Sequence, residues 1–559
     1  MKEQIADLIK IKGITKETII DAVEIPKDKE MGDYALPCFS FAKILRKNPV
    51  EIAKDIADSI KDRKDFEKVE AINGYVNFFV NRKSLADEII KEVLIEKSNY
   101  GKCRKNKERV MIEFSQPNTH KAFHIGHIRG TSLGESLARI MEFCGDKVVR
   151  ANYSGDTGMH IAKWLWCYDK FHPKEKIRDD EKWFADIYVE ASKKLDDNET
   201  GEREVEEINR KLDSREDKKL LKLWQETRKK SISSWKDIYK ELDTKFDVHF
   251  FESLEEKRGK EIALELINKK IAKQSDEAVI VDFKEHGFDN LGVIVLLRGD
   301  GTVLYGAKDL ALAEKKFGKY RIDRSIYVIG KAQDMHIHQV FKILELMKFK
   351  SDRYEYVPVN EVRFPWGKMS SRTGENILYA DFRNGLIDEA RKEIKKRYKL
   401  KEKEIEKRAL AIAVSAMKYS MLKQDVNKGI IFNPKEEIRF EGNTGPYLLY
   451  SYARARSIIK KVGKKKSDDK DINIDKNEKK IISEIGRFGG VVERAYRERA
   501  PNIVANYSYE LCRAFNEFYH AEKVIGSEKE NFRLKIVESF SITLRNALHL
   551  LNIKVIEEM

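Results

Sequence analysis

The stretch Ser115 to Gly130, SQPNTHKAFHIGHIRG, decides how the middle of this chain folds. VMIEF at 110–114 precedes it, an apolar run that reads as a buried strand. Leu133, Leu137, Ile140 and Met141 follow it, spaced i, i+4, i+7 and i+8 as on one face of a helix. Gly145-Asp146 ends that helix, and Val148 to Tyr153 begins a second strand. Strand, helix, strand in this order opens a parallel, doubly wound sheet.

The turn between the first strand and the helix carries His124 and His127 around Gly126. A helix start offers unpaired N–H groups and the positive end of a dipole, a setting suited to phosphate. Histidines there can donate to phosphate oxygens. Gly126 leaves room for a flat ring to lie against the backbone, and Lys121 adds a cation three residues earlier. Far downstream stands GKMSSRTG, Gly367 to Gly374, with Lys368, Met369, Ser370 and Ser371 between glycines that allow movement. A lysine on such a loop supplies a point charge for phosphate oxygens when the loop closes. Together the two segments point to a nucleoside triphosphate handled by positioning and electrostatics.

At 559 residues the chain is too long for one ordinary core. Residues 1–100 read as a small N-terminal α/β domain, with Ile72 to Val80 alternating like one half-buried strand. Residues 101–394 read as a Rossmann-type doubly wound domain. It is interrupted at about 165–290 by a highly charged, mostly helical insertion that stands apart from the sheet. Val279 to Phe283 and Val293 to Arg298 read as two short strands, and Ser325 to Gly330 as a returning sheet strand. Residues 395–559 read as a helix bundle with helices near 404–424, 438–462, 474–498, 502–524 and 530–551. The polar loop at 463–480 is either a surface excursion or a binding tail.

A hydrophobic share of 41% beside 36% charged residues fits a globular chain, and a net charge of +15 points to an anionic partner, nucleic acid first. A generally lysine-rich proteome is the alternative. Cys38, Cys103, Cys144, Cys167 and Cys512 form no C-x-x-C pair, so neither a zinc ribbon nor a disulfide framework is expected. A reducing cytoplasm follows. The charged amphipathic N-terminus is no secretory signal, and no apolar run is long enough for a membrane span.

The two signatures, HIGH at His124–His127 and KMSS at Lys368–Ser371, resemble those of the class I aminoacyl-tRNA synthetases, and the wider pattern resembles the arginyl-tRNA synthetases. Pro117-Asn118-x-x-Lys121-x-x-His124 matches that family's signature. So do VVRANYSGDTGMHIAK at 148–163, LYGAKD at 304–309, GKAQDMHIHQ at 330–339 and TGPYLLYSYARARSI at 444–458. GDYALPCFSFAK at 32–43 resembles its N-terminal domain. Two positions depart from the family: Gln116 stands where serine is usual, and Ser371 replaces the second lysine of KMSKS.

The resemblance implies an arginine–tRNA ligase working with ATP and Mg²⁺, with no dedicated protein metal site. It makes His124, His127, Lys368 and Lys121 catalytic, and Gly126, His124, His127, Lys368, Met369, Ser370 and Ser371 the ATP site. Glu113, Gln116, Asn118, His127, Tyr305, Asp309 and Gln333 become the arginine pocket, the group touched by each left open. A guanidinium is planar, charged and rich in donors, so carboxylates and an aromatic suit it. The C-terminal helices would read the anticodon through Tyr450, Arg454, Phe515 and Tyr519, any of which can instead be bundle core. The N-terminal domain would touch tRNA(Arg), and the enzyme would be a monomer without membrane contact. Class I enzymes for glutamine, glutamate or cysteine are rivals, but lack a reason for the acidic Glu113 and Asp309. A small nucleotidyltransferase would not need the helical C-terminus. A noncatalytic RNA-binding relative would be expected to lose His124, His127 or Lys368.

Overall fold

A computed structural model describes residues 2–24, 26, 28, 31–60, 65–103, 107–365, 378–462 and 473–558. Lys368, Met369, Ser370 and Ser371, and most of the lysine-rich loop, lie outside the described residues. The chain forms two compact units: Gly101–Ser457 with Phe488–Cys512 and Leu544–Met559, and Met1–Tyr100 with Ile458–Arg487 and Arg513–Thr543.

The first unit is built on five strands, β1 (Arg109–Glu113), β2 (Lys147–Ser154), β3 (Val248–Phe251), β4 (Arg324–Gly330) and β5 (Tyr354–Val359). Their order is β5-β4-β1-β2-β3, and every neighbouring pair is parallel. The central strand is covered on both faces, as a parallel sheet requires, and its Val110, Met111 and Ile112 are fully buried. The expected crossover helix is α1 (Ile125–Phe143), with Leu133, Leu137, Ile140 and Met141 all buried. Gly134 lets α1 lie directly on the sheet, because a Cβ there would stand 2.1 Å from the Phe114 ring.

The charged stretch does not stand wholly apart from the sheet. Four of its helices are α2 (Met159–Phe171), α3 (Glu181–Leu195), α4 (Glu199–Ser214) and α5 (Lys218–Glu241). They gather Trp164, Trp183 and Phe184 into a core of their own. Val248–Phe251, however, is the fifth sheet strand, paired with Ala151–Ser154. Four residues are too few to show alternation, and only the edge of β2 makes them a strand. The end of α5 also returns to the fold, placing Trp235, Ile238 and Tyr239 against Phe123 and Ile125. The two short strands expected near 280 and 295 are Ala278–Asp282 and Val293–Leu297, in an antiparallel sheet with Lys273–Ser275. This sheet packs on α6 (Tyr305–Lys319) and α7 (Asp334–Leu346).

The expectation of no disulfide is corrected by a Cys103–Cys144 bond, Cα atoms 4.3 Å apart, which ties the segment before β1 to the end of α1. Forty-one residues separate the partners, so no local spacing announces them.

The second unit holds a three-stranded antiparallel sheet of Tyr34–Pro37, Tyr75–Val80 and Phe66–Ile72. Ile72 to Val80 is therefore not one strand. Asn73 and Gly74, at φ 50° and 83°, form a two-residue hairpin turn. In the same unit Lys476–Gly486 packs on Arg82–Glu96, and Arg533 is buried among Glu478, Glu522 and Asp475 at 2.7, 2.6 and 3.1 Å. The C-terminal helices lie near their expected places, except that the one expected from 438 begins at Gly445 and 474–498 is two helices parted at Arg487. Among the described residues no helix is long and apolar enough to cross a membrane.

Candidate active site

The order of connection reverses between β1 and β4, and a crevice outside the carboxyl ends of the strands is where an open α/β sheet takes its ligands. Four chain segments meet there. Glu113 ends β1, Gly155 to Thr157 follow β2, Glu252 follows β3, and Gln333 follows β4.

The loop from β1 to α1 is held in a form few residues choose. Ser115, Gln116 and His120 all have positive φ, at 77°, 46° and 61°, each costing about 1–3 kcal/mol. Neighbours hold this backbone. Thr119 N–H donates to the Gly155 carbonyl at 3.0 Å and His120 N–H to Ser231 Oγ at 2.9 Å. Ser115 Oγ meets the Tyr239 hydroxyl at 2.9 Å, and Phe123 N–H donates to Glu181 Oε1 at 2.8 Å. Three of these partners, Ser231, Tyr239 and Glu181, belong to the charged helices.

His124 is the N-cap of α1, and its Nδ1 accepts from Gly126 N–H at 3.1 Å. His127 reaches back, its Nδ1 accepting from His124 N–H at 3.1 Å. The rings stack with centroids 4.0 Å apart. Burial pushes His124 down to about 4, and burial together with His124 and Lys121 holds His127 well below the ordinary histidine value. Both imidazoles are thus neutral, and because each Nδ1 accepts, each proton sits on Nε2. The pair borders a cavity of about 230 Å³, shared with Asn118, Lys121 and Tyr188. Lys121 Nζ lies 5.1 Å from the centre of the Tyr188 ring. Leu378, just past the KMSS segment, pairs as a β-bridge with His124, and Tyr379 N–H donates to the Phe123 carbonyl at 3.0 Å. Leu378 and Tyr379 are therefore fixed to the histidine turn.

A larger cavity, about 1330 Å³, is lined by Thr157, Glu252, Tyr305 and Lys308 among others. Tyr305 is 59% exposed at the first position of α6, and Asp309 follows one turn later on the same face. Asp309 Oδ2 lies 2.6 Å from His336 Nε2. Glu252 was not foreseen. Burial pushes it up to about 7, Asp309 and Asp156 add to the rise, and Lys308, 3.5 Å away, opposes it. A Cβ at Gly155 would stand 2.6 Å from Asn118 Oδ1 and 3.0 Å from Glu252 Oε1, so a larger residue there would displace these two side chains. Asn118 Oδ1 accepts from Gly155 N–H at 3.2 Å. The Tyr153 hydroxyl is buried without a hydrogen-bond partner among the described residues, and that burial, with Asp309, Glu252 and Glu113 adding to it, holds it well above the ordinary tyrosine value.

Glu113 differs from Asp309. It is 3% exposed, its Oε2 lies 2.6 Å from the fully buried Lys316 Nζ, and its Oε1 accepts from Gln116 Nε2 at 3.3 Å. Its charge is met inside the fold. Gln333 is exposed in the turn before α7. The structure thus gathers Glu113, Gln116, Asn118, Lys121, His124, Gly126, His127, Tyr305, Asp309 and Gln333 at one sheet end.

The four residues expected to meet tRNA are not gathered in one unit. Tyr450 and Arg454, one turn apart, belong to the first, with Arg454 Nη2 donating to the Tyr450 hydroxyl at 2.9 Å. Phe515 and Tyr519 belong to the second; Phe515 is fully buried with its ring 3.9 Å from that of Phe540, and Tyr519 is 38% exposed. Among the described residues the only three-residue groups able to hold a metal are Cys167–His172–Glu190 and Asp475–Glu478–Glu522, neither of which includes a residue of the crevice.

The family described as class I (R) tRNA synthetases, catalytic domain, matches residues 89–433. A DALR anticodon binding domain matches 448–559, and an arginyl tRNA synthetase N terminal domain matches 1–80. The arginine–tRNA ligase of Clostridium acetobutylicum is 36% identical across 100% of both chains. That of Treponema denticola is 35% identical over 96% of this chain and 94% of its own. In fold the chain is similar to the arginyl-tRNA synthetase of Thermus thermophilus, TM-score 0.78 at 24% identity, covering 100% of this chain and 99% of the other. It is also similar to that of Plasmodium falciparum, TM-score 0.75 at 22% identity, covering 96% and 94%.

Proposed function

The chain belongs to the class I arginyl-tRNA synthetases, and from that premise we propose how its residues divide the reaction. It is an arginine–tRNA ligase. In the first step an oxygen of the arginine carboxylate bonds to the α-phosphorus of ATP, the bond to the β-phosphate oxygen breaks, and pyrophosphate leaves. In the second, the terminal ribose hydroxyl of tRNA(Arg) attacks the adenylate carbonyl and AMP leaves. ATP brings Mg²⁺ with it, which offsets phosphate charge.

His124 and His127 present neutral Nε2–H donors to the α-phosphate oxygens as charge develops there, with Lys121 beside them. Lys368 takes the leaving pyrophosphate, and Gly126, Met369, Ser370 and Ser371 complete the ATP site. Tyr305 and Asp309 receive the guanidinium, while Asn118 and Gln333 hold the α-amino and carboxylate end, and Glu252, paired with Lys308 at 3.5 Å, lines the pocket beside them. Glu113 and Gln116 support that wall. The observation that carries this reading is the juxtaposition of opposite needs in one crevice: reciprocally capped neutral histidines at a helix start, and the carboxylate of Asp309, whose one side-chain partner among the described residues is the titratable His336.

Residues 1–100 contact tRNA and 395–559 read its anticodon, with Tyr450, Arg454 and Tyr519 as contacts and Phe515 supporting them from the core. The match of 448–559 to an anticodon binding domain supports this assignment. The enzyme acts as a cytoplasmic monomer and activates arginine only with tRNA bound. Arginine-dependent ATP–pyrophosphate exchange, run with and without tRNA against a panel of amino acids, tests the reading. Exchange with arginine alone and only with tRNA is expected; exchange with another amino acid would overturn the specificity.

A further inference from the structure

His336 is the third residue of α7 and is absent from the machinery described so far. Its Nε2 engages Asp309 Oδ2 at 2.6 Å. Among the described residues Oδ1 of Asp309 has no hydrogen-bond partner, so one oxygen is held and one is left for a ligand. His336 and Asp309 are partly exposed, side chains 29% and 23%. Burial works against a charged imidazolium here, but the hydrogen bond and charge of Asp309 outweigh it and keep His336 above the ordinary histidine value.

The surroundings are few. On α6, Lys308 and Tyr305 share the field of Asp309 and Glu252. Behind Asp309 are Glu252 and the Tyr153 hydroxyl. On its own helix are Asp334 and His338, and from β5 the ring of Tyr356 faces His338 at 6.0 Å. Among the described residues Asp309 alone bonds His336.

A guanidinium that binds Asp309 meets a carboxylate already shared with an imidazolium. Two cations then compete for one anion. The guanidinium stays protonated at every relevant pH, whereas the imidazolium can lose its proton and remain bonded as a neutral donor. We propose that His336 is the positioning residue of Asp309, and that arginine binding drives one proton from His336 to solvent while the Nε2–H···Oδ2 bond is kept. This rests on the assignment of Asp309 to the guanidinium. Balance is simple: arginine cation and imidazolium-bearing protein give the arginine complex, neutral His336 and a released proton. Arginine affinity then rises with pH across the titration range of His336, by up to about tenfold per pH unit.

Titration of L-arginine into the full chain by isothermal calorimetry near neutral pH, in phosphate and in Tris, with and without tRNA, tests it. The binding enthalpies should differ between buffers by the amount for release of up to about one proton per arginine. His336→Asn should bind arginine with equal enthalpies in both buffers and a flat arginine KM against pH, while Glu252→Gln keeps the release. Equal enthalpies in the unaltered protein would overturn the proposal alone. So would release that persists in His336→Asn or disappears in Glu252→Gln, since Glu252 is the other group able to shed a proton, and this last variant decides even if His336→Asn does not fold. Absence of arginine binding under all conditions would overturn the pocket assignment itself, and this proposal with it.

Discussion

At the start of α1, His124 and His127 lie ring on ring and give their Nδ1 atoms to backbone N–H groups; at the start of α7, His336 shares its Nε2 with a carboxylate. The first pair is held below the ordinary histidine value by burial, the second residue above it by Asp309. On the roles proposed above, the same side chain is a fixed neutral donor in one place and a proton store in the other. The difference follows the ligands. A phosphate is met by oriented donors whose charge need not change, a cation by carboxylates whose charge must be kept available until it arrives. Both sites sit on rigid helix starts, so the contrast is electrostatic rather than a matter of one being ordered.

The largest expected effect separates the donor role of His124 from its capping role. Asparagine caps a helix as well as any residue but cannot carry an Nε2–H to a phosphate. His124→Asn should lower kcat in exchange by about 100- to 1000-fold, the loss typical of one such donor, with unchanged unfolding midpoint and arginine KM. Full activity would make His124 a cap and nothing more. On the other side of the crevice, Asp309→Ala should raise the arginine KM on the order of 100-fold, as loss of a charged partner does, and leave the ATP KM within about threefold. An equal rise in both would remove Asp309 from the pocket.

How far these sites were readable depends on how local their causes are. The histidine turn is four residues at a helix start, so its chemistry is local; Tyr305 and Asp309 lie one helical turn apart, but their place in the pocket was implied by the family resemblance of LYGAKD rather than by spacing. Glu252 was invisible because its strand is four residues at a sheet edge, recognisable only by pairing with β2. The link from Asp309 to His336 spans 27 positions and exists only because α6 and α7 lie side by side. The hairpin at Asn73-Gly74 was the opposite case. Its local signal was present but hidden by a run that alternated on both sides of it. The support of Phe123 by Glu181 comes from the stretch that looked least specific.

That support gives the next effect in size. Glu181 accepts the Phe123 N–H just before the histidine turn, and burial pushes it up to about 7. The folded state therefore binds more protons than the unfolded one between about pH 4.5 and 7, and stability is lost as pH rises through that window. Glu181→Gln keeps an acceptor without the charge. It should match the unaltered protein near pH 4.5 and exceed it in denaturant unfolding at pH 8 by about 3 kcal/mol, the cost of keeping a carboxylate ionised where burial holds it at about 7. Equal stability at pH 8 would show that water reaches this carboxylate.

The smallest effect concerns the two carboxylates that flank the arginine site. Glu113 is neutralised by Lys316 in a fully buried pair, whereas Asp309 has only a titratable partner. A carboxylate already paired with a resident lysine has little charge to give a ligand, so Glu113 acts as a strut whose second oxygen receives Gln116. That bond is long at 3.3 Å and part-buried, and a neutral-to-charged bond of this kind is worth at most about 1 kcal/mol here. Gln116→Ser, which restores the family's usual residue, should therefore change the arginine KM by no more than about fivefold and leave its pH dependence intact. Gln116 has positive φ, and serine accepts that backbone no better than glutamine does, so stability should not improve. A KM change of tenfold or more would mean that Glu113 shares the guanidinium after all. The division between a paired and an available carboxylate would then fail, even if His336 titrates as proposed.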